Sequence, residues 1–383
     1  MSVQMLVGTP AYNKAPVPAK TPSEKLYPIT MMIEGEQPVW ISVPQPDKLH
    51  LTIRLRPEHF TEWYKPEDPQ DYGRMIMHAL AMGQAGKASH NKYIPTAKIS
   101  TAVQVNLANL GSTVYFTLSR TKGDPDGLHT LGIQLNPRSL NQVGAYDFLD
   151  LLHQVTGQRL LVGRMLADAK ISRLDVAVDV VGVQIADMLV SVSDAGTECI
   201  WRATSGDFES IAFFRKKKKK SGALELGERT VIVYDKRAER IAAGAPAPYG
   251  PAPVTRLETS KKRFGNKPFW LTDLPAAPNP LKSVRAGLLR SAQTPITRRF
   301  IQYAALRRAY SQSRTSQTLS ISNADSQILE ACWLSHPSDL IDGDAVWAGW
   351  HVGLHQTGAS LLIEAAMKKS ASVPTPDIGE LLC

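Results

Sequence analysis

Residues 171–181 read ISRLDVAVDVV, and this stretch decides the fold. Apolar side chains alternate through it with other residues, among them Arg173, Asp175 and Asp179. Successive side chains of a strand point to opposite faces, so we predict a strand with one face in the core and the other charged. A carboxylate within such a strand is costly unless it is paired or bound to a metal. An ion pair with Arg173 or Arg256 and a metal site both satisfy this requirement.

The sequence on either side of this strand carries further strand and helix patterns. Strands are predicted at residues 48–55, 113–118, 130–135, 229–235 and 254–260. Helices are predicted at 72–84 and, with a hinge near Gly157, at 146–166. This order indicates an α+β fold with a mainly antiparallel sheet and packed helices. Helices are also predicted in the C-terminal region, at 281–310, 323–334 and 347–366.

Proline-rich segments divide the chain into three parts. Residues 1–40 are predicted to be a proline-rich N-terminal tail, and a second such stretch, LPAAPNP, ends at residue 280. We therefore predict an α+β domain at 41–275 and a helical region at 276–383. For the helical region, DNA binding and dimerisation are both open.

Composition restricts the classes of protein that the chain can belong to. Its 383 residues include 43% hydrophobic residues, enough for a sizeable core, and carry a formal net charge of +9. The apolar stretches fall short of the roughly 20 residues that span a bilayer, so we expect no membrane partner. The N-terminus lacks the pattern of a secretory signal, which predicts a cytoplasmic protein. The three cysteines suggest neither a disulfide framework nor a zinc site.

Two further strands carry candidate catalytic and metal-binding side chains. In RTVIVYDKRAER, residues 229–240, Tyr234 and Lys236 share a face, so a phenol and an ammonium group are expected together. A phenol with a pKa of about 10 attacks poorly at neutral pH unless cations or a metal activate it. In VTRLETS, Arg256 and Glu258 share a face and suit phosphate and Mg²⁺ respectively. The ordinary alternatives are a half-buried sheet tyrosine and an Arg–Glu surface pair.

A basic run lies between these motifs. It consists of Arg215, Lys216, Lys217, Lys218, Lys219 and Lys220. Such a run attracts polyanions because each phosphate contact releases condensed counterions. We interpret it as a candidate DNA-binding segment, and a solvated loop is the alternative.

Taken in order, the motifs resemble a known family. The segments R-L-D-x-A-x-D, I-x-Y-D-K-x-x-E-R and T-R-L-E follow one another, and LGIQLNPRSL precedes them as a strand, an Asn-Pro turn and a helix. Over residues 110–262 this series resembles the Rep_trans family of rolling-circle replication initiators. The chain departs from that family at Ile232, where an arginine is usual, and in the basic run.

The resemblance implies a function and a role for each residue. Tyr234 would cut one strand of a replication origin and form a 5′-phosphotyrosine bond, leaving a 3′-OH that primes synthesis. Asp175, Asp179 and Glu258 would hold Mg²⁺ or Mn²⁺. Lys236, Arg173 and Arg256 would neutralise phosphate charge. The expected partners are origin DNA, as single strand or supercoiled duplex, a host helicase and polymerase, and a second copy of the chain if the C-terminal helices dimerise.

Other functions compete with this interpretation. No pair of the nine histidines brackets a single hydrophobic residue, so the His-ligated metal of HUH relaxases is not indicated. No P-loop motif is present, which is why a separate helicase is expected. A mobilisation relaxase that cuts a transfer origin and a non-catalytic DNA-binding regulator remain as alternatives. A tyrosine recombinase is disfavoured, because Tyr303 and Tyr310 lack an accompanying Arg/His cluster.

Overall fold

A computed structural model gives the fold, and it divides the chain into two compact units. The residues it describes are 4–6, 29–32, 39–61, 71–81, 101–107, 112–120, 129–192, 197–202, 208–218, 224–262, 264, 266–288, 312–334 and 340–368. The first unit comprises Met1–Gln45, Asp175–Lys262 and Pro278–Val352. The second comprises Pro46–Leu174, Arg263–Ala277 and Gly353–Cys383.

The described residues form the following strands and helices. The strands are β1 (Gln4–Leu6), β2 (Ile29–Met32), β3 (Val39–Ile41), β4 (Gln45–Arg54), β5 (Thr101–Leu107), β6 (Ser112–Arg120), β7 (His129–Leu135), β8 (Lys170–Val181), β9 (Met188–Val192), β10 (Thr197–Arg202), β11 (Phe208–Lys218), β12 (Leu224–Asp235), β13 (Val254–Lys261), β14 (Val284–Leu288) and β15 (Ile341–Asp342). The helices are α1 (Asp71–Ala81), α2 (Pro137–Val155), α3 (Val162–Ala167), α4 (Lys236–Ala242), α5 (Gln312–Leu319), α6 (Asn323–Leu334), α7 (Gly343–Trp347), α8 (Trp350–His355) and α9 (Ala359–Lys368).

The first unit is built on two sheets that share one core. In the larger sheet the strands run in the order β10-β11-β12-β13-β8, and β8 also pairs with β3. The smaller sheet has the order β15-β14-β9. Val180, Val233 and Leu257 of the larger sheet and Val190 and Ala286 of the smaller one belong to the same buried cluster. The alternation of these apolar positions with polar ones is what commits each strand to a single core face.

The second unit packs helices against an antiparallel sheet of order β5-β6-β7-β4. Helix α2 begins where the side chain of Asn136 accepts a hydrogen bond from the Ser139 N–H, and a proline follows that cap. Phe148 of α2 stacks on Phe116 of β6 with 6.1 Å between the ring centroids. Helix α2 ends near Gly157, whose φ of 58° is left-handed, and α3 follows after this hinge.

The α+β class, the mainly antiparallel sheet and a helical C-terminal region are confirmed. Part of the predicted helix at 281–310 is wrong, because residues 284–288 form strand β14. Its alternating Val284 and Ala286 are buried, and β14 pairs with β9. Residues 289–311 lie outside the described part of the chain. Among the described residues, no helix is long and apolar enough to cross a membrane.

Candidate active site

Strands β12 and β13 align the predicted site residues on one face of the larger sheet. Tyr234 lies opposite Arg256, and Ile232 lies opposite Glu258. Side chains at directly opposite positions of an antiparallel pair project to the same face, so all four share a face. The intervening Val233 points the other way, into the core of the first unit. The expected faces of Ile232 and Tyr234 on β12 and of Arg256 and Glu258 on β13 are therefore confirmed.

The Tyr234 side chain contacts a carboxylate and a cation. Its hydroxyl donates a hydrogen bond to Glu258 Oε2 at 3.3 Å. The Lys236 ammonium lies 5.7 Å from the centroid of the Tyr234 ring, and it also pairs with Glu239 Oε2 at 2.6 Å. Tyr234, Glu258 and Lys236 are all half-buried. A phenol, a base and a positive charge thus meet where solvent has access.

The start of helix α4 sets the position of Lys236. Asp235 caps this helix, since its side chain accepts a hydrogen bond from the Ala238 N–H at 2.8 Å. Strand β12 therefore ends at Asp235, and Lys236 is the first residue of α4. The sequence predicted that Lys236 would continue the strand face of Tyr234. Instead, Lys236 begins helix α4, and its ammonium group lies beside the tyrosine ring from that position.

A second cluster, on β13, β8 and the loop after α4, is centred on the buried side chains of Asp179 and Arg256. Arg256 Nε donates to Asp179 Oδ1 at 2.6 Å, and Arg256 Nη2 donates to Oδ2 at 3.0 Å. The Tyr249 hydroxyl donates to Asp179 Oδ2 at 3.0 Å. Asp179 is 0% exposed and Arg256 is 3% exposed. Of the two interpretations of the acidic strand, the ion pair with Arg256 is the one formed at Asp179.

The backbone of Asp179 is also tied into this cluster. Its N–H donates to the Ser42 hydroxyl at 2.8 Å, and its carbonyl accepts from the Ser42 N–H at 2.9 Å. Removing one partner of such a buried ion pair is strongly destabilising, because the other partner is left as an uncompensated buried charge. The face of β8 that carries Asp175 and Asp179 is accordingly buried, like its core face, and is not a solvated charged floor.

The three carboxylates that the resemblance assigns to a metal do not fit one shared ion in this arrangement. Asp175 and Asp179 lie four residues apart on one strand, which separates their Cα atoms by about 13 Å. Both oxygens of Asp179 already accept hydrogen bonds, and Asp175 is 0% exposed. Within the described ranges, no three His, Cys, Asp or Glu side chains form a group that could hold a metal ion. Glu258, half-buried and bonded to Tyr234, is the accessible carboxylate of the three.

The predicted DNA-binding residues are distributed over both units. Arg173 belongs to the second unit, whereas Tyr234 belongs to the first. The backbone of Arg215 and of Lys216–Lys218 is part of β11, and Lys217 lies opposite Glu225 of β12. Lys219 and Lys220 lie outside the described residues. The first part of the basic run is therefore a strand and not a loop.

A positive pair lies on β12 and β13 at a distance from Tyr234 along both strands. Arg229 is opposite Lys261. Burial, followed by the charge of Arg229, lowers the pKa of Lys261. The sheet that carries the tyrosine therefore has cationic residues on the same strands.

No sequence pattern indicated that Tyr249 and Ser42 would contact Asp179. Tyr249 has a left-handed φ of 59°, and the next residue, Gly250, has a φ of 66°. A non-glycine residue in this region is uncommon and persists where its surroundings hold it. The turn-rich text AAGAPAPYGPAP signals the turn. It gives no sign that the tyrosine reaches Asp179.

No protein family model matches this chain, and no curated protein matches it.

Proposed function

We propose that this protein is a replication initiator that nicks one strand of origin DNA with Tyr234 and starts rolling-circle replication. The observation that carries the proposal is the contact of the half-buried Tyr234 hydroxyl with Glu258, beside the Lys236 ammonium. The ordered motifs that resemble the Rep_trans family support it. We further propose a cytoplasmic location and, as partners, a host helicase and polymerase and a second copy of the chain.

The chemistry is a transesterification. The phenolic oxygen of Tyr234 attacks the scissile phosphorus, the P–O3′ bond breaks, and a 5′-phosphotyrosine bond forms. The covalent bond conserves the energy of the phosphodiester for later rejoining. Lys236 is placed to stabilise negative charge on the reacting phosphate and phenolate. Arg256 supports this region indirectly, because in this structure its guanidinium is committed to Asp179.

The metal requirement is part of the proposal and needs its own measurement. The assay is therefore run with Mg²⁺, with Mn²⁺ and with a chelator. Purified protein is mixed with supercoiled DNA that contains the locus encoding the protein. Nicked circles that carry covalently attached protein are then measured.

The decisive comparison is wild type against Tyr234→Phe. We expect the covalent adduct to be lost in Tyr234→Phe. It should be retained in Tyr115→Phe, a matched change at an exposed tyrosine of the second unit. An adduct that survives in Tyr234→Phe would move the nucleophile to another tyrosine.

The remaining functions are separate outcomes of the same assay. Retarded DNA without any adduct, for every candidate origin fragment supplied, would favour the non-catalytic regulator. Cleavage confined to a transfer-origin fragment would favour the mobilisation relaxase.

A further inference from the structure

We infer that Glu258 is the proton acceptor for Tyr234 in the nicking step. The inference rests on the proposed function and gives Glu258 a role different from the metal ligand that the family resemblance implies. The Tyr234 hydroxyl is the donor and Glu258 Oε2 the acceptor of their 3.3 Å hydrogen bond. The proton that must leave the nucleophile is therefore already directed at a carboxylate.

The sheet register makes this contact a built feature of the fold. Glu258 lies opposite Ile232, two residues before Tyr234 on the same strand. Tyr234 and Glu258 are thus diagonal neighbours on one face, a spacing that long side chains span. Because Val231 and Val233 are locked in the core, the strand cannot slip by one residue without burying the phenol.

Glu258 is more exposed than Asp179, the carboxylate that accepts a hydrogen bond from Tyr249. Asp179 is 0% exposed and is held by two guanidinium N–H groups. Adding a proton to Asp179 would disrupt a buried ion pair. Glu258 is half-buried, so a proton that it accepts can pass on to water. Of these two carboxylates, Glu258 is the one suited to general base chemistry.

The step balances without any further reactant. The bond between the Tyr234 oxygen and phosphorus forms as the P–O3′ bond breaks. The phenolic proton moves to Glu258, and the departing O3′ takes a proton from water to become the 3′-OH. Glu258 then releases its proton to solvent. In rejoining, the 3′-OH attacks the phosphotyrosine and loses its proton to water, the bond between phosphorus and the Tyr234 oxygen breaks, and Glu258, protonated again from solvent, gives its proton to that oxygen.

Three variants of Glu258 and one control test this role in single-turnover cleavage of an origin oligonucleotide. Glu258→Gln keeps a side chain of the same shape without basicity, and we expect its rate to fall by about 10²- to 10⁴-fold. Glu258→Asp keeps the carboxylate and should retain more activity than Glu258→Gln. Glu258→Ala opens space, and added formate should restore part of its rate. Glu364→Gln, at a half-exposed i,i+4 surface pair, should cleave like wild type.

The metal dependence of cleavage separates the two roles, because loss of a metal ligand changes it and loss of a general base does not. We expect the Mg²⁺ concentration for half-maximal rate to be the same in Glu258→Gln and wild type. Restoration of Glu258→Gln by excess Mn²⁺ would overturn the inference in favour of a metal ligand. Wild-type rates in Glu258→Gln, or no effect of formate on Glu258→Ala, would overturn it as well.

Failure of the inference is distinguishable from failure of the proposed function. If Tyr234→Phe abolishes the adduct and the Glu258 variants do not behave as expected, the nickase stands and the base assignment falls. If wild-type protein forms no adduct, or Tyr234→Phe retains it, both fall together.

Discussion

Tyr234 and Tyr249 of the first unit each donate a hydrogen bond to a carboxylate, and the two carboxylates differ in burial. Tyr234 donates to a half-buried glutamate, whereas Tyr249 donates to Asp179, which is 0% exposed and paired with Arg256. The same two functional groups therefore meet in both places. In the buried pair the carboxylate is fixed by a guanidinium and contributes to stability, and in the accessible pair it is able to exchange a proton. Burial, more than residue type, decides which role a carboxylate has.

The largest expected effect comes from breaking the buried pair. Asp179→Ala leaves Arg256 charged and buried, and we expect the free energy of unfolding to fall by about 3–5 kcal/mol. Glu258→Ala removes a half-buried group, and we expect a loss below about 1 kcal/mol. Urea unfolding at equilibrium measures both. Similar losses in the two variants would contradict the comparison.

A double replacement sharpens this result. Asp179→Leu combined with Arg256→Met removes both charges and keeps similar volume. Replacing a buried ion pair by apolar residues is often neutral or stabilising. We therefore expect the double variant to be more stable than Asp179→Ala, again by urea unfolding. A double variant as unstable as Asp179→Ala would mean that packing, and not an unpaired charge, causes the loss.

The two faces of β12 give the next largest effect. Val233 is 0% exposed in the core, and we expect Val233→Ala to lower the free energy of unfolding by about 2 kcal/mol. Ile232 faces the site and is half-buried, so Ile232→Ala should cost about 1 kcal/mol despite removing more atoms. Thermal or urea unfolding of the two variants tests the order. A reversed order would contradict the assignment of core and site faces.

The two tyrosines should separate stability from activity. Tyr249→Phe removes a hydrogen bond to a buried charged group, and we expect a loss of about 1.5 kcal/mol. Tyr234→Phe removes a bond to a half-buried group and should cost about 0.5 kcal/mol. In the nicking assay the order reverses, because Tyr234→Phe should be inactive and Tyr249→Phe active. Loss of the adduct in Tyr249→Phe at a temperature where it is folded would contradict this division.

Much of this arrangement is predictable from residue patterns, and the rest depends on long-range contacts. Period-two alternation predicts the faces of β8, β12 and β13, and so places Tyr234 and Glu258 at accessible positions. Alternation does not tell which strands are neighbours, so the partner of Asp179 stayed open between an ion pair and a metal.

Local composition misleads in two strands. The basic run suggests a loop, yet Ile211 and Phe213 alternate into the core ahead of it and extend β11 through Lys218. The segment of β14 lies within an arginine-containing sequence that has a helical pattern, so its short alternation was not recognised. Pairing with β9 stabilises it as a strand. Tyr249 carries no signal for its contact, because the loop geometry that directs it to Asp179 is set by tertiary structure. Tertiary context overrides local propensity in each of these cases.

The smallest expected effect extends the comparison to a polar pair in the second unit, in which the histidine is buried and the carboxylate is exposed. His59 is 1% exposed, its Nε2 lies 3.0 Å from Asp168 Oδ2, and its Nδ1 accepts the Arg56 N–H at 3.1 Å. Burial lowers the pKa of His59, and this outweighs the hydrogen bond with Asp168, which raises it.

The sign of the pH dependence follows from this shift. Below about pH 6.5 the unfolded chain takes up a proton at His59 more readily than the folded one, so the free energy of unfolding falls as the pH falls. We expect His59→Gln to flatten this slope and His355→Gln, at an exposed histidine, to leave it unchanged in urea unfolding between pH 5 and 7.5. A slope that is as steep in His59→Gln as in wild type would assign the titration to another group.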